Sequence, residues 1–92
     1  MEIRVYATLR PIVGGRSVSL PDRDGATIAQ VIDDLIARFP ALRERLLSEA
    51  GEIRPYVAVM LDGRDVRHVG GLDAVVAAGA EIDIFPPVAG GA

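Results

Sequence analysis

The 92-residue sequence contains no cysteine and a single histidine. Without thiols there can be no disulfide framework, no zinc-thiolate site and no cysteine nucleophile, so the fold must rest on packing alone. His68 on its own is a poor metal site, and it reads as a surface residue. Concentrated positive charge is also missing. The net charge is −3, with acidic and basic residues intermixed, which argues against a nucleic-acid footprint. No apolar run approaches the length of a bilayer span, and Met1-Glu2-Ile3-Arg4-Val5 does not open a signal peptide. A cytoplasmic protein without membrane association is expected. Gly14-Gly15 and Gly70-Gly71 lack the spacing and the lysine of a phosphate loop, so turn geometry accounts for them and the chain should bind no ATP of its own.

What is present suits one small domain, because half of the residues are hydrophobic, enough for a single modest core. Glu2 to Leu9 alternates, placing Ile3, Val5, Ala7 and Leu9 on one face and Arg4, Tyr6 and Thr8 on the other. Pro11 and Gly14-Gly15 break that pattern, and Arg16 to Leu20 resumes it with Val18 and Leu20 inward, so the opening reads as a hairpin. From Thr27 to Phe39 the period changes. Ile28, Val31, Ile32, Leu35, Ile36 and Phe39 make one apolar helix face, and Thr27 with Gln30 fits a capping box. Pro40 bends or stops this helix, and Leu42, Leu46 and Leu47 suggest one or two more helical turns before Gly51.

Tyr56 to Leu61 reads as an apolar strand, and Asp62-Gly63 signals a tight turn into Arg64-Asp65-Val66-Arg67. Leu72 to Ala77 can form a short helical turn, and Glu81 to Phe85 is the last strand, with Ile82 and Ile84 inward. The order is β-β-α-β-β-β. The expected class is α+β: a mixed sheet of about five strands over one main helix, with short helical turns. Two carboxylate pairs, Asp33-Asp34 on the polar helix side and Glu81/Asp83 alternating outward on a strand, read as solvated surface rather than acid-base machinery.

The chain closes on Phe85-Pro86-Pro87-Val88-Ala89-Gly90-Gly91-Ala92. Pro86 and Pro87 cannot donate ladder hydrogen bonds, so the last strand must end near Phe85. Gly90 and Gly91 carry no Cβ, so an enzyme could close tightly on their backbone and reach the Gly91 carbonyl. Residues 1–85 therefore read as the domain and 86–92 as a tail.

This ending, the Leu61-Asp62-Gly63 turn and Gly79-Ala80-Glu81 before the last strand resemble the ubiquitin-like β-grasp sulfur carriers of the MoaD and ThiS kind, over nearly the whole chain. Leu9-Arg10-Pro11 with Gly14-Gly15, and Asp65-Val66-Arg67 with Gly70-Gly71-Leu72, are similar to the CysO-like branch. The resemblance implies that an E1-like partner uses ATP and a divalent metal to adenylate the carboxyl of Gly91. Sulfur then displaces AMP to leave a thiocarboxylate, which a sulfur-accepting synthase consumes in making cysteine, molybdopterin or another sulfur-containing metabolite. Val88, Ala89 and Gly90 would be the arm the partner recognises. The carrier itself would be no enzyme and would hold no cofactor or metal.

One residue departs from the family pattern, since Ala92 keeps the carboxyl of Gly91 in a peptide bond. Some relatives carry short extensions that a zinc-dependent JAMM-type protease removes, so the resemblance implies processing between Gly91 and Ala92. Docking on a partner suggests an exposed apolar patch beside the tail, and alternation places Tyr6, Met60 and Phe85 on the face opposite Val5, Val59 and Ile84, next to Pro86 and Pro87. Two other functions share this pattern: a ubiquitin-like modifier forming isopeptide conjugates through Gly91, and a β-grasp binding module with an inert tail.

Overall fold

A computed structural model describes residues 1–22 and 24–87. Strand β1 (Glu2–Val5) leads through a 3-10 turn (Ala7–Leu9) into a one-turn helix α1 (Arg10–Val13), and β2 (Ser17–Ser19) returns antiparallel to β1. Next come β3 (Ala26–Thr27), the main helix α2 (Ile28–Arg38) and the short α3 (Leu42–Leu46). Strands β4 (Ala58–Leu61) and β5 (Arg64–Asp65) form a hairpin, two 3-10 turns follow (Val66–His68 and Gly71–Asp73), and β6 (Val75–Val76) and β7 (Ile82–Phe85) complete the order. The five-stranded sheet runs β2-β1-β7-β4-β5, with β1 and β7 parallel and the other pairs antiparallel. It is the mixed sheet over one main helix that the α+β reading requires.

The main helix follows its apolar period. Ile28, Val31, Ile32 and Leu35 are buried along it. Thr27 accepts from the Gln30 backbone N–H at 3.3 Å, and Gln30 Oε1 accepts from the Thr27 N–H at 3.0 Å, completing the capping box. A further helix-start donor, the N–H of Ile28, bonds the Ala74 carbonyl oxygen at 2.9 Å. Helix α2 packs its buried stripe on the inner sheet face, against Ile3, Val5, Val59, Ile82 and Ile84, each 1% exposed or less. At the β4–β5 turn, Asp62 and Gly63 both take positive φ, 50° and 83°, as a type I′ turn demands. The Asp62 carboxylate also accepts from the Glu81 N–H at 2.9 Å, tying that turn to the start of β7.

Four local expectations change. The strand expected over Glu2 to Leu9 stops at Val5, because Ala7 at φ 52° reverses the backbone and Pro11 sits in the first turn of α1. Ala7 is therefore exposed, whereas Leu9 is buried from a helical turn. Tyr56 lies in a turn, 77% exposed, and β4 starts only at Ala58. The segment Leu72 to Ala77 is a 3-10 turn followed by β6, which pairs with β3 as a separate two-stranded sheet. Two-residue strands are too short to leave a period in the sequence.

Candidate functional site

Strand β7 is the middle strand of the sheet, and its last residue, Phe85, directly precedes the tail. A central strand is bonded on both sides, here to Val5 by way of Ile84 and to Ala58 by way of Phe85. The root of the tail is therefore held by the most constrained part of the sheet. Pro86 is buried and Pro87 exposed, and both line a cleft with Thr8, Glu44, Arg45 and Arg54. Arg54 closes one side of it by donating from Nε to the Glu44 carbonyl at 2.6 Å.

The outer face of the sheet beside this root carries a connected cluster. The Tyr6 and Phe85 rings stack with centroids 4.2 Å apart and 11° between planes. The Arg10 guanidinium lies 5.3 Å from the Tyr6 centroid, within cation-π range, and its Nε donates to the Val5 carbonyl at 3.1 Å. The Tyr6 hydroxyl donates to Asp83 Oδ1 at 2.7 Å, and Arg4 holds the same carboxylate through both Nε (2.7 Å) and Nη2 (2.9 Å). Register explains the cluster: Arg4 pairs with Asp83 across β1 and β7, and Met60 pairs with Asp83 across β4. Tyr6, two residues after Arg4, keeps an extended backbone at φ −129°, ψ 157°, so its side chain stays on the outer face although the strand has ended.

Asp83 is thus not the solvated carboxylate that outward alternation suggested. Its side chain is 13% exposed, clamped between Arg4 and Tyr6. Partial burial pushes its pKa up, but the hydrogen bonds from Arg4 and Tyr6 and the charge of Arg4 outweigh it and hold the carboxyl below the ordinary aspartate range. The hydrogen bond that Tyr6 donates to Asp83 raises its pKa above the ordinary phenol, and the one that Arg4 donates raises Arg4 above the ordinary guanidinium. A carboxyl with a depressed pKa contributes stability above its unfolded pKa and loses it as pH falls through the folded value. Asp83→Asn is therefore expected to flatten the acid limb of the stability curve below the ordinary aspartate range, measured as urea midpoint against pH. An unchanged acid limb would remove Asp83 from the account.

Of the sequence-derived site residues, the structure brings Tyr6 and Phe85 into contact and puts Met60 on the same face, partly buried. Phe85 is 39% exposed, so part of its ring faces outward. Val88, Ala89, Gly90, Gly91 and Ala92 lie outside the described residues. Arg4, Arg10 and Asp83 were missed. Their signal was Arg4-x-Tyr6 and Asp83-x-Phe85 at strand spacing, which has meaning only once β1 and β7 are known to be neighbours. His68 is exposed, no group of three or more potential metal ligands occurs among the described residues, and no described helix is long and apolar enough to cross a membrane.

Known proteins match nearly the whole length of the chain. The ThiS family model matches residues 3–91. Small archaeal modifier protein 3 of Haloferax volcanii is 40% identical over 91 residues, covering 99% of this chain and 98% of that protein. The sulfur carrier protein CysO of Mycobacterium tuberculosis is 38% identical over 92 residues, covering 97% of this chain and 96% of the carrier. Among solved structures, a chain of the Amycolatopsis orientalis BexX/CysO complex superposes with a TM-score of 0.83 at 34% identity, covering 97% of each chain.

Proposed function

The chain belongs to the ThiS family, and from that membership we propose that it is a sulfur carrier whose working group is the C-terminal carboxyl of Gly91. An E1-like enzyme, using ATP and a divalent metal, joins that carboxylate to the α-phosphorus of ATP and releases pyrophosphate. Sulfide then attacks the acyl carbon, the bond to AMP breaks, and a thiocarboxylate remains for a sulfur-accepting synthase. Where the donor is a persulfide, the first product is an acyl disulfide, and a thiol of the partner enzyme must cleave its S–S bond, becoming the new disulfide as the thiocarboxylate is released. The product is cysteine, molybdopterin or another sulfur-containing metabolite, and the work is done in the cytoplasm, where ATP is available. The carrier contributes no catalytic group. Any residue beyond Gly91 must leave first, and a JAMM-type metalloprotease cleaving before Ala92 would supply that step.

One observation carries this reading: the glycine pair follows the middle strand of the sheet by a short proline-rich arm, in a chain with no thiol of its own. The Tyr6–Phe85 stack, with Met60 beside it, offers the activating enzyme a partly apolar docking face at the root of the arm. Replacing Phe85 by Glu is expected to lower kcat/KM for adenylation by at least about tenfold while costing the fold only about 1 kcal/mol of ring packing. Unchanged pyrophosphate release would remove this face from the account.

A second reading is favoured by the similarity to small archaeal modifier protein 3. As a modifier, the activated Gly91 carbonyl would pass to lysine amines of other proteins. Denaturing gels separate the two fates, since conjugates run as a ladder and a carrier runs as a single thiocarboxylated band.

A further inference from the structure

All ten basic residues of these 92 are arginine; lysine is absent. An acyl-adenylate is attacked by a neutral amine or a thiolate. A guanidinium is protonated at any physiological pH and has no free lone pair to offer. Cysteine is absent as well. The one primary amine these residues supply is the α-amine of Met1, and the fold engages it twice. It donates to the Leu20 carbonyl oxygen at 2.8 Å and pairs with Asp22 Oδ1 at 2.9 Å. Its own residue is clasped from the other side, because the Leu20 N–H donates to the Met1 carbonyl at 2.8 Å, and the Met1 side chain is 1% exposed.

Self-acylation would form a bond between the Met1 nitrogen and the Gly91 carbonyl carbon, break the bond to AMP, and pass the amine proton to solvent. The nitrogen must first lose a proton and leave at least one of its two acceptors, which pulls the start of β1 away from the end of β2. We infer that this chain is an acyl donor that cannot act as its own acceptor. Its activated tail meets no lysine or cysteine on another copy, so self-linkage does not compete with transfer to sulfur. If the acyl group goes to a protein instead, the modification stops at single copies. The inference rests on the reading of Gly91 as the activated residue.

The test has one arm that does not depend on that reading. The full chain is treated with the N-hydroxysuccinimide ester of acetic acid at neutral pH, folded and in denaturant, and followed by intact mass. The folded chain should take up a single acetyl group about tenfold more slowly than the unfolded chain, the cost of giving up one part-buried hydrogen bond and one exposed ion pair. Equal rates would overturn the inference. Arg64→Lys, at an exposed position in β5, should acetylate readily while folded, showing that the reagent reaches a surface amine. In the second arm both proteins, after release of Gly91, are incubated with ATP and the activating enzyme. Only the Arg64→Lys protein should give self-linked dimers on denaturing gels, and dimers of the unsubstituted chain joined through Met1 would contradict the inference. Absence of pyrophosphate release from both proteins would instead count against Gly91 activation, and the acetylation rates would still decide the state of the amine.

Discussion

Deletion of residues 90–92 is expected to reduce thiocarboxylate formation to background and to leave the melting temperature unchanged. The core among the described residues is assembled between Ile3 and Ile84, and Pro86 is the last buried residue described, so the loss expected from this deletion is of chemistry rather than of that core. A milder substitution sharpens the point. Gly90→Val adds a branched side chain one residue from the reacting carbon, where an enzyme that closes on bare backbone has no room for it. Displacement of a reacting group by about 1 Å can cost about a hundredfold in rate, so a loss of that order in kcat/KM is expected with the fold intact. Full activity after deletion would favour the binding-module reading, in which the tail is inert. Pyrophosphate release and circular-dichroism melting, made on the same samples, give the two readouts.

Ile84→Ala should do the opposite, damaging the fold first and function through it. Ile84 is 1% exposed, pairs with Val5 on one side and Val59 on the other, and stands one residue before Phe85. Its truncation leaves a cavity at the centre of the sheet, at a cost of about 3 kcal/mol. For a domain of this size that lowers the melting temperature by on the order of 15 °C. The contrast with Phe85→Glu is informative. Neighbouring residues on one strand face opposite sides of the sheet, so the first substitution should move stability and the second should move recognition. A stable Ile84→Ala protein would mean that the parallel β1–β7 contact does not carry the core. Urea denaturation measures the difference directly.

Legibility from sequence followed the length of each signal. The main helix was readable because Ile28 to Phe39 sustains a 3.6-residue period and Thr27 with Gln30 marks its start. The Asp62-Gly63 turn was readable because both positions need positive φ. The end of β7 at Phe85 was readable because proline cannot continue a strand ladder. Ala7 was misjudged for a physical reason: an alternating pattern continues through Leu9, but a left-handed φ at Ala7 ends the strand while still burying Leu9 from a helical turn. Asp83 was misjudged for another. Alternation gives the side of the sheet on which a residue lies, but not which strand lies beside it, and Asp83 finds Arg4 and Tyr6 only because the first and last strands pair in parallel. The β3–β6 pair is two residues long and left no trace.

The middle strand, the Tyr6–Phe85 stack and the Arg4–Asp83 clamp lie at the root of the tail, and the proposed function puts the acyl chemistry at the carboxyl of Gly91. The most direct measurement is the intact mass of the protein isolated from its own cells under non-reducing, amine-free conditions, with fragmentation of the C-terminal peptide. A chain ending at Gly91, with one carboxyl oxygen replaced by sulfur, is the predicted result. A chain in which Gly91 remains bonded to Ala92, with no sulfur-bearing form at any stage of growth, would contradict it.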